Sequence, residues 1–174
     1  MTTSDPKPSI LVVDDDRNVQ KLLKRLLLKE GYLVIACEDA GTALQTAIET
    51  CPDLILLDIN MPVVDGYTLC RQILKQPSCE DIPVIFVSGL LEENDKIKGF
   101  AAGAVDYLTK PIQNAETLAR IRLHLSLKEK MTELKIFNNI MIEREMRIIE
   151  LKEEVNSLNL ELGRTAPYSE IWHK

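Results

Sequence analysis

Polar side chains that could accept or bind a phosphoryl group follow several short apolar runs in this sequence. The set comprises Asp14, Asp15, Asp58, Ser88 and Lys110. Clustered carboxylates repel one another, so a pocket that holds them needs a cation, and hard oxygen ligands of this kind suit Mg²⁺. With the charge neutralised, the carboxylate of Asp58 could attack a phosphoryl group and form an acyl phosphate. Lys110 could then bind the phosphate oxygens by ion pairing and Ser88 by hydrogen bonding.

These residues can act together only if the fold brings the ends of the apolar runs to one place. The predicted strands cover residues 10–13, 32–36, 54–57, 83–87 and 105–108, and the predicted helices cover 17–30, 40–50, 66–75, 92–101 and a segment from about 114. The strand runs are continuously apolar, as is typical of a parallel sheet covered on both faces. We therefore predict a doubly wound α/β fold with the flavodoxin-like strand order 2-1-3-4-5. Its functional groups should lie just beyond the carboxyl ends of the strands.

Other polar residues and glycines near these ends have simpler explanations. Asp16 directly precedes the first predicted helix and is interpreted as its N-cap, and Asp65 as a turn or cap residue. His124 lies within a predicted helix with no visible acid–base partner, so we do not assign it a catalytic role. Gly66 and Gly103 are interpreted as turn glycines, because no G-x-x-x-x-G-K-[ST] nucleotide loop is present.

Four ordered segments carry a resemblance to a known family. They read ILVVDDD at 10–16, DLILLDINMPVVDG at 53–66, VIFVSG at 84–89 and DYLTKP at 106–111. The intervals of 30 residues from Asp58 to Ser88 and 22 from Ser88 to Lys110 agree with the same family. Over about residues 9–127 the chain resembles the response-regulator receiver domains of two-component signalling.

This resemblance implies a phosphorylation-dependent switch rather than an enzyme with turnover. Asp58 would accept a phosphoryl group from a histidine kinase or a phosphotransfer protein. The implied Mg²⁺ ligands are Asp14, Asp15, Asp58 and the main-chain carbonyl of Asn60. Lys110 would bind the phosphate through a loop with a cis Lys110–Pro111 bond, Ser88 would be the switch hydroxyl, and Tyr107 would turn inward on activation. The change would pass through the fourth helix, fifth strand and fifth helix.

Two alternatives use the same residues differently. The spacing of Asp14 and Asp16 matches the D-x-D start of haloacid-dehalogenase-type phosphatases, in which Asp14 would be the nucleophile. Against this, Asn18 stands where that family has Thr or Val, and no cap domain is evident. The other alternative is a scaffold that dimerises without being phosphorylated, which the intact acidic pocket disfavours.

Composition limits the cellular setting. The net charge of −6 argues against nucleic-acid binding, which normally needs a basic patch. The four cysteines are far apart, which favours free thiols in a reducing compartment. The sequence has no apolar run of 18 residues. We therefore expect a cytoplasmic protein without membrane contact.

The segment after the receiver-like region has a heptad pattern. Steps of three and four residues from Leu127 to Leu162 define eleven positions, of which nine are apolar and two are Lys130 and Arg144. This pattern predicts a coiled coil. We expect a homodimer through residues 127–162 that passes the signal to an unidentified downstream effector; parallel pairing is favoured, and antiparallel pairing is left open. Apolar residues outside the heptad positions also permit a four-helix arrangement or packing on another protein.

These features divide the chain into four predicted regions. They are a disordered leader at 1–8, a receiver domain at 9–127, a coiled-coil helix at 128–163, and a frayed tail or the stub of a further domain at 164–174.

Overall fold

A computed structural model of the protein describes residues 7–89 and 93–168. The strands are β1 (Ser9–Val13), β2 (Leu33–Cys37), β3 (Leu54–Asp58), β4 (Val84–Ser88) and β5 (Asp106–Thr109), and the helices are α1 (Arg17–Lys29), α2 (Ala40–Thr50), α3 (Gly66–Leu74), α4 (Glu93–Ala101) and α5 (Asn114–Glu161). The five strands form one parallel sheet in the order β2-β1-β3-β4-β5. The predicted fold class is confirmed, and the predicted strand boundaries differ by one residue at most ends.

Because of the register of the sheet, the predicted site residues lie at the same edge. Val13 pairs with Leu57 across β1 and β3, so the carboxylates that follow both residues come together. Ser88 pairs with Thr109 across β4 and β5, directly before Lys110. The alignment follows from parallel pairing, because the carboxyl ends of all strands face the same way.

Two apolar layers cover the sheet. One layer packs residues of α2 and α3 against one face, and the other packs residues of α1 and α5 against the opposite face. The strands β3 and β4 are buried along their whole length, as their continuous apolar sequences predicted.

Aspartate side chains cap the N-termini of three of the helices. The side chain of Asp16 accepts a hydrogen bond from the main-chain N–H of Asn18 at α1, and Asp65 accepts one from Thr68 at α3. Both predictions of capping roles are confirmed. Asp39 does the same at α2. These caps satisfy main-chain donors that have no partner within the helix.

The chain divides into two compact units, Met1–Glu129 and Lys130–Lys174. In the second unit the apolar heptad residues are exposed, with 37% to 69% of each side chain accessible from Leu134 to Leu162. Gly163, at φ 69°, ends the helical segment. The following residues turn back, and Tyr168 exchanges two hydrogen bonds with the amide of Asn156. None of the helices in the two described ranges is both long and apolar enough to cross a membrane.

Candidate functional site

Three carboxylates lie together at the carboxyl edge of the sheet. One oxygen each from Asp14, Asp15 and Asp58 lies within 4.8 Å of the others. Asp14 is 1% exposed and Asp58 is 3% exposed, whereas Asp15 faces solvent. The Nζ atom of Lys110 lies 2.9 Å from Oδ2 of Asp14 and 3.3 Å from Oδ2 of Asp58. The structure therefore brings together four of the residues that the strand ends predicted.

The charges of this pocket are unbalanced. Burial, and then the neighbouring charge of Asp14, raise the pKa of Asp58, although Lys110 and the main-chain N–H of Asn60 oppose the shift. Burial alone would lower the pKa of Lys110, but hydrogen bonding and attraction to Asp14 and Asp58 outweigh it and raise that pKa. Three carboxylates thus share one ammonium group in a largely buried site.

This donor set fits a divalent cation. Among the described residues, Oδ2 of Asp14 is buried and has no partner besides its ion pair with Lys110. The candidate ligand atoms of Asp14, Asp15 and Asp58 are carboxylate oxygens, which Mg²⁺ prefers. Asn60 is exposed at the rim, with its N–H bonded to Asp58.

The loop that carries Asp14 is held by a residue that the sequence analysis missed. Gln20 is buried on α1, and its amide donates to the main-chain carbonyls of Asp14 and Cys37, each at 2.7 Å. A signal was available, because Gln20 lies in phase with the core residues Leu23 and Leu27 of the same helix. A polar residue at such a position needs a partner.

Ser88 and Lys110 are linked through their main chains. The N–H of Lys110 donates to the carbonyl of Ser88 at 2.7 Å, and the Ser88 side chain is buried. The Lys110–Pro111 bond is cis, as the resemblance implied.

Gly66 contacts the main chain of the central aspartate. A Cβ atom on Gly66 would lie 2.3 Å from the carbonyl oxygen of Asp58 and 2.8 Å from Cα of Ile59. The N–H of Gly66 donates to the carbonyl of Ile59 at 2.9 Å. The sequence analysis interpreted Gly66 as a turn residue. The structure shows a second reason for glycine here, because the start of α3 lies too close to the end of β3 to leave room for a side chain.

Tyr107 is buried beneath α4. It is 7% exposed, and its hydroxyl donates to the carbonyl of Lys96 at 2.8 Å. Burial raises the pKa of Tyr107 to about 12. Gly99 makes room for the ring, because a Cβ atom there would lie 1.6 Å from the Tyr107 hydroxyl oxygen. Tyr107 thus occupies the inward position, and its movement on activation stays a prediction.

Tyr67 was not identified from the sequence. Its ring packs edge-on against Phe86, and its hydroxyl donates to the carbonyl of Asp95 at 3.3 Å. It reaches α4 from α3, a contact that no sequence pattern signalled.

Asp106 binds α5. Both carboxylate oxygens lie 2.8 Å from Nη1 of Arg120, and Nε2 of His124 lies 3.0 Å from Oδ2. Burial opposes these contacts, but the hydrogen bonds outweigh it and lower the pKa of Asp106. The statement that His124 lacks an acid–base partner is therefore corrected, since its partner lies on a strand 18 residues away.

Comparisons with known proteins agree with this geometry. The model of the response regulator receiver domain family matches residues 10–122. The response regulator PleD of Caulobacter vibrioides (strain NA1000 / CB15N) is 41% identical over 126 residues, which cover 72% of this chain and 28% of PleD. The DNA-binding dual master transcriptional regulator RpaA of Synechocystis is 35% identical over 142 residues, 82% of this chain and 59% of RpaA. The chain thus spans less than two thirds of these relatives.

Solved structures give the same result. A CheY-like response regulator receiver domain protein from Methanospirillum hungatei JF-1 has a TM-score of 0.69 and 29% identity, covering 72% of this chain and 99% of that one. The receiver domain of the sensor histidine kinase PA1611 from Pseudomonas aeruginosa PAO1 has a TM-score of 0.65 and 30% identity, covering 70% and 99%. That receiver domain has a magnesium ion coordinated in its active-site cleft.

Fold and site together define a doubly wound α/β signalling module with an acidic pocket at its strand ends. The chain belongs to the response regulator receiver domain family. Members of this family are switches of phosphorylation-dependent two-component signalling. Family membership decides against the phosphatase alternative.

Proposed function

We propose that this receiver takes a phosphoryl group on Asp58 from the phosphohistidine of a histidine kinase or phosphotransfer protein. The observation that carries the proposal is the ion pairing of Lys110 with both Asp14 and Asp58 in the acidic pocket. A lysine held there can exchange a carboxylate for a phosphate oxygen without leaving the site.

The transfer forms one bond and breaks another. A carboxylate oxygen of Asp58 attacks phosphorus, the phosphorus–nitrogen bond breaks, and the donor imidazole keeps the electron pair and takes a proton. Lys110 then binds an oxygen of the new acyl phosphate, and the Ser88 hydroxyl donates to another. Water later hydrolyses the acyl phosphate. The protein is thus a switch and not an enzyme with turnover.

Asp14, Asp15, Asp58 and the Asn60 carbonyl would hold Mg²⁺. The ion would offset the charge of the carboxylates and of the incoming phosphoryl group. Support comes from the three grouped carboxylates and from the magnesium-bound receiver of Pseudomonas aeruginosa. Changing both Asp14 and Asp15 to Asn should abolish the Mg²⁺-induced NMR shifts around Asp58.

Output would use the face formed by α4, β5 and α5. Phosphorylation would favour one of two conformational states of the domain. In that state Ser88 lies closer to the phosphate, and Tyr107 moves into the space that Ser88 leaves. The buried position of Tyr107 against α4 supports its role as the switch aromatic.

The partner of the tail is proposed to be a second copy of the chain, paired through residues 127–162. The exposed apolar stripe of the second unit supports this, because a monomer would leave it in water. With a net charge of −6, this chain itself is not proposed to bind nucleic acid, although RpaA is named a DNA-binding regulator. Cytoplasmic location is proposed from the kinase partner and the four free cysteines.

Intact mass spectrometry tests the phosphoacceptor. Acetyl phosphate with Mg²⁺ should add one phosphoryl group to the wild type and none to Asp58→Asn. Asp53→Asn is the matched control, because Asp53 also pairs with a lysine but through Lys128, away from the pocket. Equal labelling of Asp58→Asn would refute the assignment. An unlabelled wild type would favour the scaffold alternative.

A further inference from the structure

Strand β5 presents consecutive residues to two different helices. Neighbouring residues of a strand project to opposite faces of a sheet. Tyr107 packs in the apolar layer of α2 and α3, with its hydroxyl on α4, whereas Leu108 packs in the layer of α1 and α5. Asp106 projects to the same face as Leu108 and reaches α5.

Asp106 connects the main chain of Tyr107 to that helix. Its Oδ1 atom accepts the N–H of Tyr107 at 2.8 Å, and its two oxygens also bind Arg120 and His124. Arg120 is in turn held by Glu116 one helical turn earlier at 2.9 Å. The three α5 residues are spaced by four and lie on one side of the helix. One carboxylate therefore joins the switch strand to two turns of α5.

The phosphorylation site is linked to the same strand. Ser88 pairs with Thr109, and its carbonyl accepts the N–H of Lys110. A displacement of Ser88 would thus reach β5 three residues from Asp106. Because the main-chain N–H of Tyr107 is hydrogen-bonded to the Asp106 carboxylate, a movement of that main chain would change the contacts of Asp106 with Arg120 and His124.

We propose that Asp106 is a positioning residue that couples the state of Tyr107 to α5, with Arg120 and His124 as its receiving groups. This inference rests on the proposed phosphorylation of Asp58. It assigns α5 its own connection to the switch strand, separate from the contact between Tyr107 and α4.

NMR of the full chain with Mg²⁺ and beryllofluoride, a phosphoryl mimic, tests the coupling. In the wild type, amide shifts should change around Asp58, at Tyr107 and in α5 residues 116–128. Asp106→Ala should keep the changes at Asp58 and Tyr107 but lose those in α5. The double variant Arg120→Ala/His124→Ala should give the same result while leaving the bond between Asp106 and Tyr107 intact, which covers the case that Asp106→Ala fails to fold.

Lys128→Ala provides the matched control. Lys128 ties the same helix to Asp53 and to the carbonyl of Pro52, away from Tyr107. This variant should retain the α5 response. Retained α5 shifts in the Asp106 and double variants, equal loss in Lys128→Ala, or a wild-type response that never reaches α5 would each overturn the coupling. A wild type without changes at Asp58 would overturn the proposed function itself, and the coupling with it.

Discussion

Asp58 is held in an environment that opposes its own charge. It is buried beside Asp14, and the attraction of one shared lysine does not cancel the effect, so its pKa is raised. A raised carboxyl pKa means that the ionised group destabilises the folded state relative to the unfolded chain. Ionised Asp58, the proposed phosphoacceptor, therefore lowers the free energy of unfolding.

Asp58→Asn should accordingly stabilise the protein at neutral pH without divalent cations, because the variant removes the buried carboxylate charge whose pKa is raised. The destabilisation by ionised Asp58 is full above its raised pKa, declines as pH falls below that value, and is gone below the ordinary carboxyl pKa of 3.8, so the difference in stability between variant and wild type should narrow across this range. Urea unfolding from neutral to acidic pH measures it. Asp106→Asn is the control of opposite sign: the pKa of Asp106 is lowered, so its contribution is present at neutral pH and lost in acid. A destabilised Asp58→Asn at neutral pH would contradict the argument.

Gly66→Ala should disturb the same aspartate through the main chain. The new Cβ atom would lie 2.3 Å from the Asp58 carbonyl oxygen, so the β3 loop must move. We expect a loss of about 2 kcal/mol of stability, typical of overpacking, and slower labelling by acetyl phosphate. Gly89→Ala is the stability control, because a Cβ atom there meets nothing within 4 Å. Equal unfolding free energies for the two variants would contradict the steric explanation.

Among the elements, α4 is shaped around Tyr107. The aromatic ring packs against Phe86 and Phe100, and the hydroxyl bonds to main-chain carbonyls of α4. A side chain on Gly99 would occupy the position of that hydroxyl. The inward position of Tyr107 therefore depends on a glycine within a helix.

Gly99→Ala should expel Tyr107 from this position. Such a change within a helix normally gains up to about 1 kcal/mol, so a loss of stability would identify the clash. Exposure should also lower the pKa of Tyr107 from about 12 toward its ordinary value of 10.0, because burial is the main cause of the shift. Tyrosine-selective ¹³C NMR titration measures this. In a Tyr107→Ala background, Gly99→Ala should become stabilising; a persistent loss there would place the clash elsewhere.

At the scale of the whole molecule, the second unit leaves an apolar stripe exposed. Its partly buried residues in the described range are Ile149, Lys152, Asn156 and Asn159, on the side of the helix that meets the returning segment at Tyr168. The heptad residues lie elsewhere on the helix and stay exposed. The returning segment thus leaves the stripe available to a second chain.

Sedimentation should find the intact chain dimeric at tens of micromolar and a 1–127 truncation monomeric. Arg144 interrupts the stripe, so Arg144→Leu should tighten association by roughly 2 kcal/mol through burial of an aliphatic side chain. Glu153→Leu, outside the heptad positions, should have little effect. A monomeric intact chain would exclude self-pairing, and equal effects of both substitutions would indicate nonspecific association.

The sequence by itself determined the order of the elements and the grouping of Asp14, Asp15, Asp58 and Lys110. This was possible because continuous apolar runs define buried parallel strands, and parallel strands end at a common edge. Only the tertiary structure decided which distant residues touch across elements. Four such contacts depend on how a helix is rotated and packed on the sheet. They join Gln20 to the loop after β1, Gly66 to Asp58, Gly99 to Tyr107, and Asp106 to His124. That rotation results from packing of the whole core, and the local periodicity of the chain does not record it.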